Sequence, residues 1–145
     1  MPGCRAVHDG HMTSRLNPYI GFDGNARAAM EFYREAFGGE LVLRTYGDFG
    51  HADPAAADRI MHAQLETPLG FTLMGADTPP GTPYPGMGAI TISISGNDAD
   101  ELQAYWDALS ANGTVTLPLQ KQAWGDAFGM CIDAFGIAWM VNIAA

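Results

Sequence analysis

The chain repeats itself, and the repeat limits its possible folds more than any other feature does. The segment LNPYIGFDGNARAAMEFYREAFGGELV, from Leu16, lines up with GAITISISGNDADELQAYWDALSANGTVT, from Gly88. The offset of 72 that carries Asn25 onto Asn97 also carries Met30 onto Leu102, Tyr33 onto Tyr105 and Phe37 onto Leu109. Each copy reads as a short alternating strand, a Gly-Asn turn and a helix. Ala29, Tyr33, Ala36 and Phe37 fall on one face of the first helix, and Leu102, Tyr105, Trp106 and Leu109 on one face of the second. Asp98 followed by Glu101 has the spacing of a capping box at the second helix start.

The repeat continues past the helices. RIMHAQLETPLGFTLMGA, from Arg59, resembles AFGMCIDAFGIAWMVN, from Ala127, and Gly70 matches Gly136 at an offset of 66. Both read as hairpins turning at the glycine. With LVLRTY (41–46) and TVTLPL (114–119) added, each half is a βαβββ module, about 16–77 and 88–145. TPPGTPYPGM (78–87), with four prolines, reads as a stiff connector. A chain of 145 residues, 48% of them apolar, supplies one well-buried domain and not two. Neither half buries a helix and a sheet face alone, so the modules are expected to pack as a single domain over 16–145.

Residues 1–15 read as a flexible arm in which Cys4, His8 and His11 are tail residues rather than ligands. His51, in HADPAAAD, reads as exposed, and Asp48, Asp53 and Asp58 as a solvated loop cluster. With two cysteines, no secretion signal and no 18-residue apolar run, the expectation is a cytoplasmic protein that does not enter membranes. A formal net charge of −9 leaves no basic patch for phosphates, which argues against nucleic acid.

Three stretches, NPYIGFDGNARAAMEFY, LMGADTPP and WGDAFGMCIDAFGIAWMVN, with the helix end FYREAFGGE and the double βαβββ pattern, resemble the vicinal oxygen chelate superfamily. This is the glyoxalase, bleomycin-resistance and dioxygenase group, and within it they resemble the PhnB-like subfamily often labelled 3-demethylubiquinone-9 3-methyltransferase. The resemblance covers about Leu16 to Ile143. It implies an α+β fold in which two tandem modules form one open, half-barrel-like sheet around a cleft. It also implies a homodimer, with modules exchanged between chains in some members, and uncovered sheet edges give a physical reason for pairing. The methyltransferase label carries little weight, because no strand–glycine-loop–helix unit with a following acidic residue is present.

Metal-dependent members of the superfamily hold one divalent ion with ligands from the first and last strand of each module. Here the first-strand places fall at Asn17 or Tyr19 and at Ala89 or Thr91. The last-strand places fall at Met74 and Met140, four residues after Gly70 and Gly136. Thioethers are poor ligands for hard divalent ions, so no metal and no other cofactor is expected. His62, Gln64 and Glu66 alternate along one strand face. Two residues four apart on a strand are separated by roughly 13 Å, too far for one ion to bridge easily. His62 is the candidate catalytic residue, as a base or hydrogen-bond donor, set against the plainer role of a satisfied polar side chain.

Strand alternation puts Cys131 on the opposite face from His62, as a small core residue rather than a nucleophile. It places Phe128 and Met130 on the cleft face and Trp139 toward the helices, while Asp133 reads as a turn-stabilising side chain. Trp124 falls in a loop at the cleft mouth. The expected ligand-binding set is therefore Tyr19, His62, Gln64, Met74, Trp124, Phe128 and Met140, an apolar and sulfur-rich lining suited to a hydrophobic small molecule. Two alternatives stay open. One is a metal-dependent lyase, thiol transferase or dioxygenase with a relocated site using His62 and Glu66, and the other is an interaction module.

Overall fold

In the computed structural model, residues 15–50, 54–79, 81–86, 88 and 90–145 are described. Cys4, His8, His11, His51, Asp53 and Ala89 lie outside them. The first module runs β1 (Tyr19–Phe22), α1 (Ala26–Phe37), β2 (Glu40–Thr45), a short α2 (Pro54–Ala57), β3 (Ile60–Glu66) and β4 (Thr72–Asp77). The second runs β5 (Ile92–Gly96), α3 (Ala99–Ser110), β6 (Thr114–Lys121), β7 (Ala127–Ile132) and β8 (Ala138–Ile143). The strands make two open four-stranded sheets, ordered β1-β4-β3-β2 and β5-β8-β7-β6. In each, the first strand lies parallel to the last and the other pairs are antiparallel. The fold is thus the double βαβββ architecture expected from the repeat. Among the described residues, no helix is long and apolar enough to cross a membrane.

Helix positions follow the apolar spacing. α1 buries Ala26, Ala29, Met30, Tyr33 and Phe37, and α3 buries Leu102, Tyr105, Trp106 and Leu109. Each helix covers its own sheet, and the two helices touch each other. Between them they seal one apolar core spanning both modules. Phe37 meets Tyr105 and Trp139 with ring centroids 4.9 and 5.6 Å apart, and Tyr33 meets Trp139 at 5.5 Å. Burying such a side chain contributes roughly 1.5–3 kcal/mol.

Two carboxylates organise this frame. Asp77, at the end of β4, accepts from the backbone N–H groups of Gly24 and Ala26 at 2.9 Å through Oδ1, and from Ile60 at 2.8 Å through Oδ2. It therefore caps α1 from outside the helix, while Asn25 makes no side-chain cap bond. At α3 the cap is local, with Glu101 N donating to Asp98 Oδ1 at 3.1 Å, as the capping spacing predicts. Asp133 does the turn work expected of it, accepting from Phe135 N and Ile137 N. It also receives the Tyr33 hydroxyl at 2.6 Å and the Trp139 indole N–H at 2.8 Å, tying α1 of one module to the β7–β8 hairpin of the other. Burial, and then the Asp133 charge, raise the Tyr33 phenol far above its ordinary range, so it stays a donor.

The turn from α1 into β2 shows why a glycine stands at 39. Its φ is +105°, and a Cβ there would run into the Glu66 carbonyl at the end of β3. Gly113 meets the Ile132 carbonyl in the same way in the second module.

Candidate functional site

Each sheet covers one face with a helix and leaves the other open. On the open face of the first sheet the ladder register sets Tyr19 opposite Met74, Met74 opposite Gln64, and Gln64 opposite Val42. Arg44 lies opposite His62. The alternating residues Ile20, Phe22, Ala63, Leu65 and Leu73 point the other way and are buried. Tyr19 is 56% exposed, and its ring sits 5.9 Å from that of His62.

Polar groups on this face form a continuous chain. Tyr19 Oη lies 3.5 Å from His62 Nδ1, and His62 Nε2 lies 3.5 Å from Gln64 Oε1. Gln64 Nε2 donates to Glu66 Oε1 at 2.7 Å, and Thr72 Oγ1 donates to Glu66 Oε2 at 2.8 Å. Arg15 donates to Thr72 Oγ1 at 2.7 Å and pairs with Glu66 at 3.5 Å. Burial raises the Glu66 carboxyl, but the hydrogen bonds from Thr72 and Gln64 and the Arg15 charge outweigh it and hold the group below its usual range. Arg15 and Thr72 were missed in the sequence, Arg15 because it falls at the end of the presumed arm. Thr72 was legible, because counting back across the Gly70 turn makes it the partner of Glu66.

In the second module Phe128, Met130 and Met140 lie on the open face, alternating with buried Gly129, Cys131, Trp139 and Val141. Trp124, 64% exposed, packs its ring 6.1 Å from Phe128. Asn142 donates to Asp126 at 3.0 Å beside it, and this bond with that from Ala145 N lowers the Asp126 carboxyl. Cys131 is buried, and burial, then the Asp133 charge, push its thiol up to about 11, so no thiolate nucleophile stands here.

The expected ligand-binding residues thus form two groups, Tyr19–His62–Gln64–Met74 and Trp124–Phe128–Met140. Among the described residues no ring contact or hydrogen bond joins the groups, and the ring contacts between modules all lie on the helix side. A groove of about 670 Å³ lies elsewhere, between the lead-in to β1, the β3–β4 turn and β5. It shares Arg15 and Thr72 with the polar chain and none of the seven expected residues. The groove borders unpaired strand edges, whereas the seven expected residues lie on or beside the two open sheet faces.

The same register tests the superfamily's metal positions. Met74 faces Tyr19, and Met140 faces Ser93, so the second first-strand place falls at Ser93 rather than at Ala89 or Thr91. The strand offset is 74, two more than the helix offset, because the strand-to-helix turn is two residues longer in the first module. A phenol, a hydroxyl and two thioethers do not fit a hard divalent ion. Among the described residues no three His, Cys, Asp or Glu side chains come together, and both Glu66 oxygens are already engaged.

The family model for the Glyoxalase/Bleomycin resistance protein/Dioxygenase superfamily matches residues 15–141. Protein PA1353 from Pseudomonas aeruginosa superposes with a TM-score of 0.82 at 36% identity, over 91% of this chain and 98% of that one. Protein YjdN from Escherichia coli is 28% identical over 88% of this chain and 94% of its own length. A Bacillus cereus PhnB protein, described as a putative 3-demethylubiquinone-9 3-methyltransferase, superposes with a TM-score of 0.74 at 22% identity, over 90% of this chain and all of that one, a likeness of fold alone.

Proposed function

Because the chain belongs to the glyoxalase/bleomycin resistance protein/dioxygenase superfamily, we propose that it is a PhnB-like member that binds a small, mostly apolar ligand without a metal ion. The observation that carries this reading is the open-face register, which sets thioethers, a phenol and a hydroxyl where the superfamily's ligands for an ion belong. Soft, polarisable Met130 and Met140 with Phe128 and Trp124 on one open face, and Met74 on the other, suit an aromatic body, and Tyr19, His62 and Gln64 beside Met74 supply polar anchors.

The ligand site is completed by a second copy of the chain, the open face of one first module meeting the open face of a second module from the partner. The strand edges favour this pairing. β6 interrupts its edge with Pro118 and two register shifts, whereas β5 presents an uncharged, regular edge, Ile92–Gly96. The test is a titration of chelator-treated protein with 1-methylnaphthalene, run beside sedimentation at micromolar concentration. A dimer with saturable binding that Met74→Lys and Phe128→Lys each abolish is expected. A monomer that binds equally well, or binding untouched by both substitutions, refutes the site.

A further inference from the structure

The hydrogen-bond chain on the first open face has a fixed direction, and the direction can be followed from its charged end. Arg15 only donates, so Thr72 Oγ1 accepts from it and sends its own hydroxyl proton to Glu66 Oε2. The Glu66 carboxylate only accepts, so Gln64 must offer its NH₂ there, at 2.7 Å, and turn its carbonyl toward His62. That carbonyl again only accepts, which places a proton on His62 Nε2. In the neutral ring the lone pair then sits on Nδ1, facing Tyr19 Oη. The Tyr19 hydroxyl proton is consumed there. What Tyr19 shows to solvent is an oxygen with lone pairs and no proton to give.

We propose that this end of the site selects ligands that carry a donor O–H of the phenol or enol class, and that Tyr19 Oη is the atom that receives it. The proposal rests on the apolar-site reading above and adds the ligand class. Tyr19 is half exposed, so its oxygen is reachable, and Met74 beside it and the exposed Val42 in the same cross-strand row offer an apolar seat for the ring that bears the hydroxyl. A ligand bearing only acceptors, a ketone or an ether, meets lone pairs at Tyr19 and gains nothing. A site built to pair one polar group rejects the analogue that lacks it. Glu66, Gln64 and His62 are positioning residues here: they set the polarity, and Tyr19 makes the contact. Histidine tautomers fixed by the partner of the second ring nitrogen act in the same way at metal and acid–base sites.

The probes are 1-naphthol and 1-methoxynaphthalene, which share the ring system and differ in the donor. Wild-type protein is expected to bind 1-naphthol roughly tenfold more tightly, the worth of one well-placed hydrogen bond. Tyr19→Phe should erase that preference and leave 1-methoxynaphthalene within about twofold of its wild-type affinity. Glu66→Gln frees the Gln64 amide to turn over, so the preference should shrink. The nitrogen-15 spectrum of His62, recorded in the neutral ring, should then move from the Nε2–H tautomer toward a mixture. Equal binding of the two probes by wild type, a preference that survives Tyr19→Phe, or an Nδ1–H tautomer in wild type each overturns the proposal while the apolar-site reading stands. Failure of both probes to bind overturns the two together.

Discussion

Trp139 and Trp124 show how much a single residue's surroundings decide its role. Trp139 has no exposed surface, sits among Tyr33 and Phe37, and spends its indole N–H on Asp133. Trp139→Ala should cost about 3–5 kcal/mol, the range for deleting a buried large aromatic. Trp124 is largely exposed and touches Phe128, so Trp124→Ala should cost about 1 kcal/mol or less while weakening aromatic ligands. Urea denaturation of both variants with a ligand titration checks the pair, and the reverse ranking would mean that the two roles are exchanged. The burial of Trp139 was legible because strand alternation separates it from Met140, and the exposure of Trp124 because it precedes the strand in a loop. Asp133 was only half legible. Its turn bonds follow from the DAFG pattern, but its bond to Tyr33 joins residues 100 apart, and nothing local announces it.

The elements were largely written in apolar spacing, and the exceptions lie where a distant group overrides a local rule. Asn25 opens α1 and its type suggests a cap, yet the bonds come from Asp77, which reaches Ala26 N from 51 residues away. The expected consequence is a graded series. Asn25→Ala should change stability by less than about 0.5 kcal/mol. Asp98→Ala, which removes a local cap, should cost about 1 kcal/mol. Asp77→Ala leaves three backbone donors without their partner and should cost about 3 kcal/mol or more. Thermal or chemical unfolding measures all three, and an Asn25 effect as large as that of Asp77 would contradict the capping scheme. The first-strand register of the second module was the other blind spot. The repeat offset of 72 holds for the helices but becomes 74 at the strand, because the turn in the first module is two residues longer, and only the ladder facing Met140 settles Ser93.

For the molecule as a whole, the duplication gave the double βαβββ architecture, and it also explains why the candidate site divides into two groups. One core closes around both helices, so each module spends its helix side on the other and keeps an open sheet face. Alternation along single strands assigned six of the seven side chains to such faces, Trp124 being a loop residue, but it carries no information about which face meets which. That these faces serve a ligand without an ion is tested by the metal content of the protein purified without chelators or a histidine tag. Zinc, nickel, manganese and iron are each expected far below one equivalent per chain, with no change in His62→Ala. Stoichiometric metal in the wild-type protein, lost in His62→Ala, would contradict it.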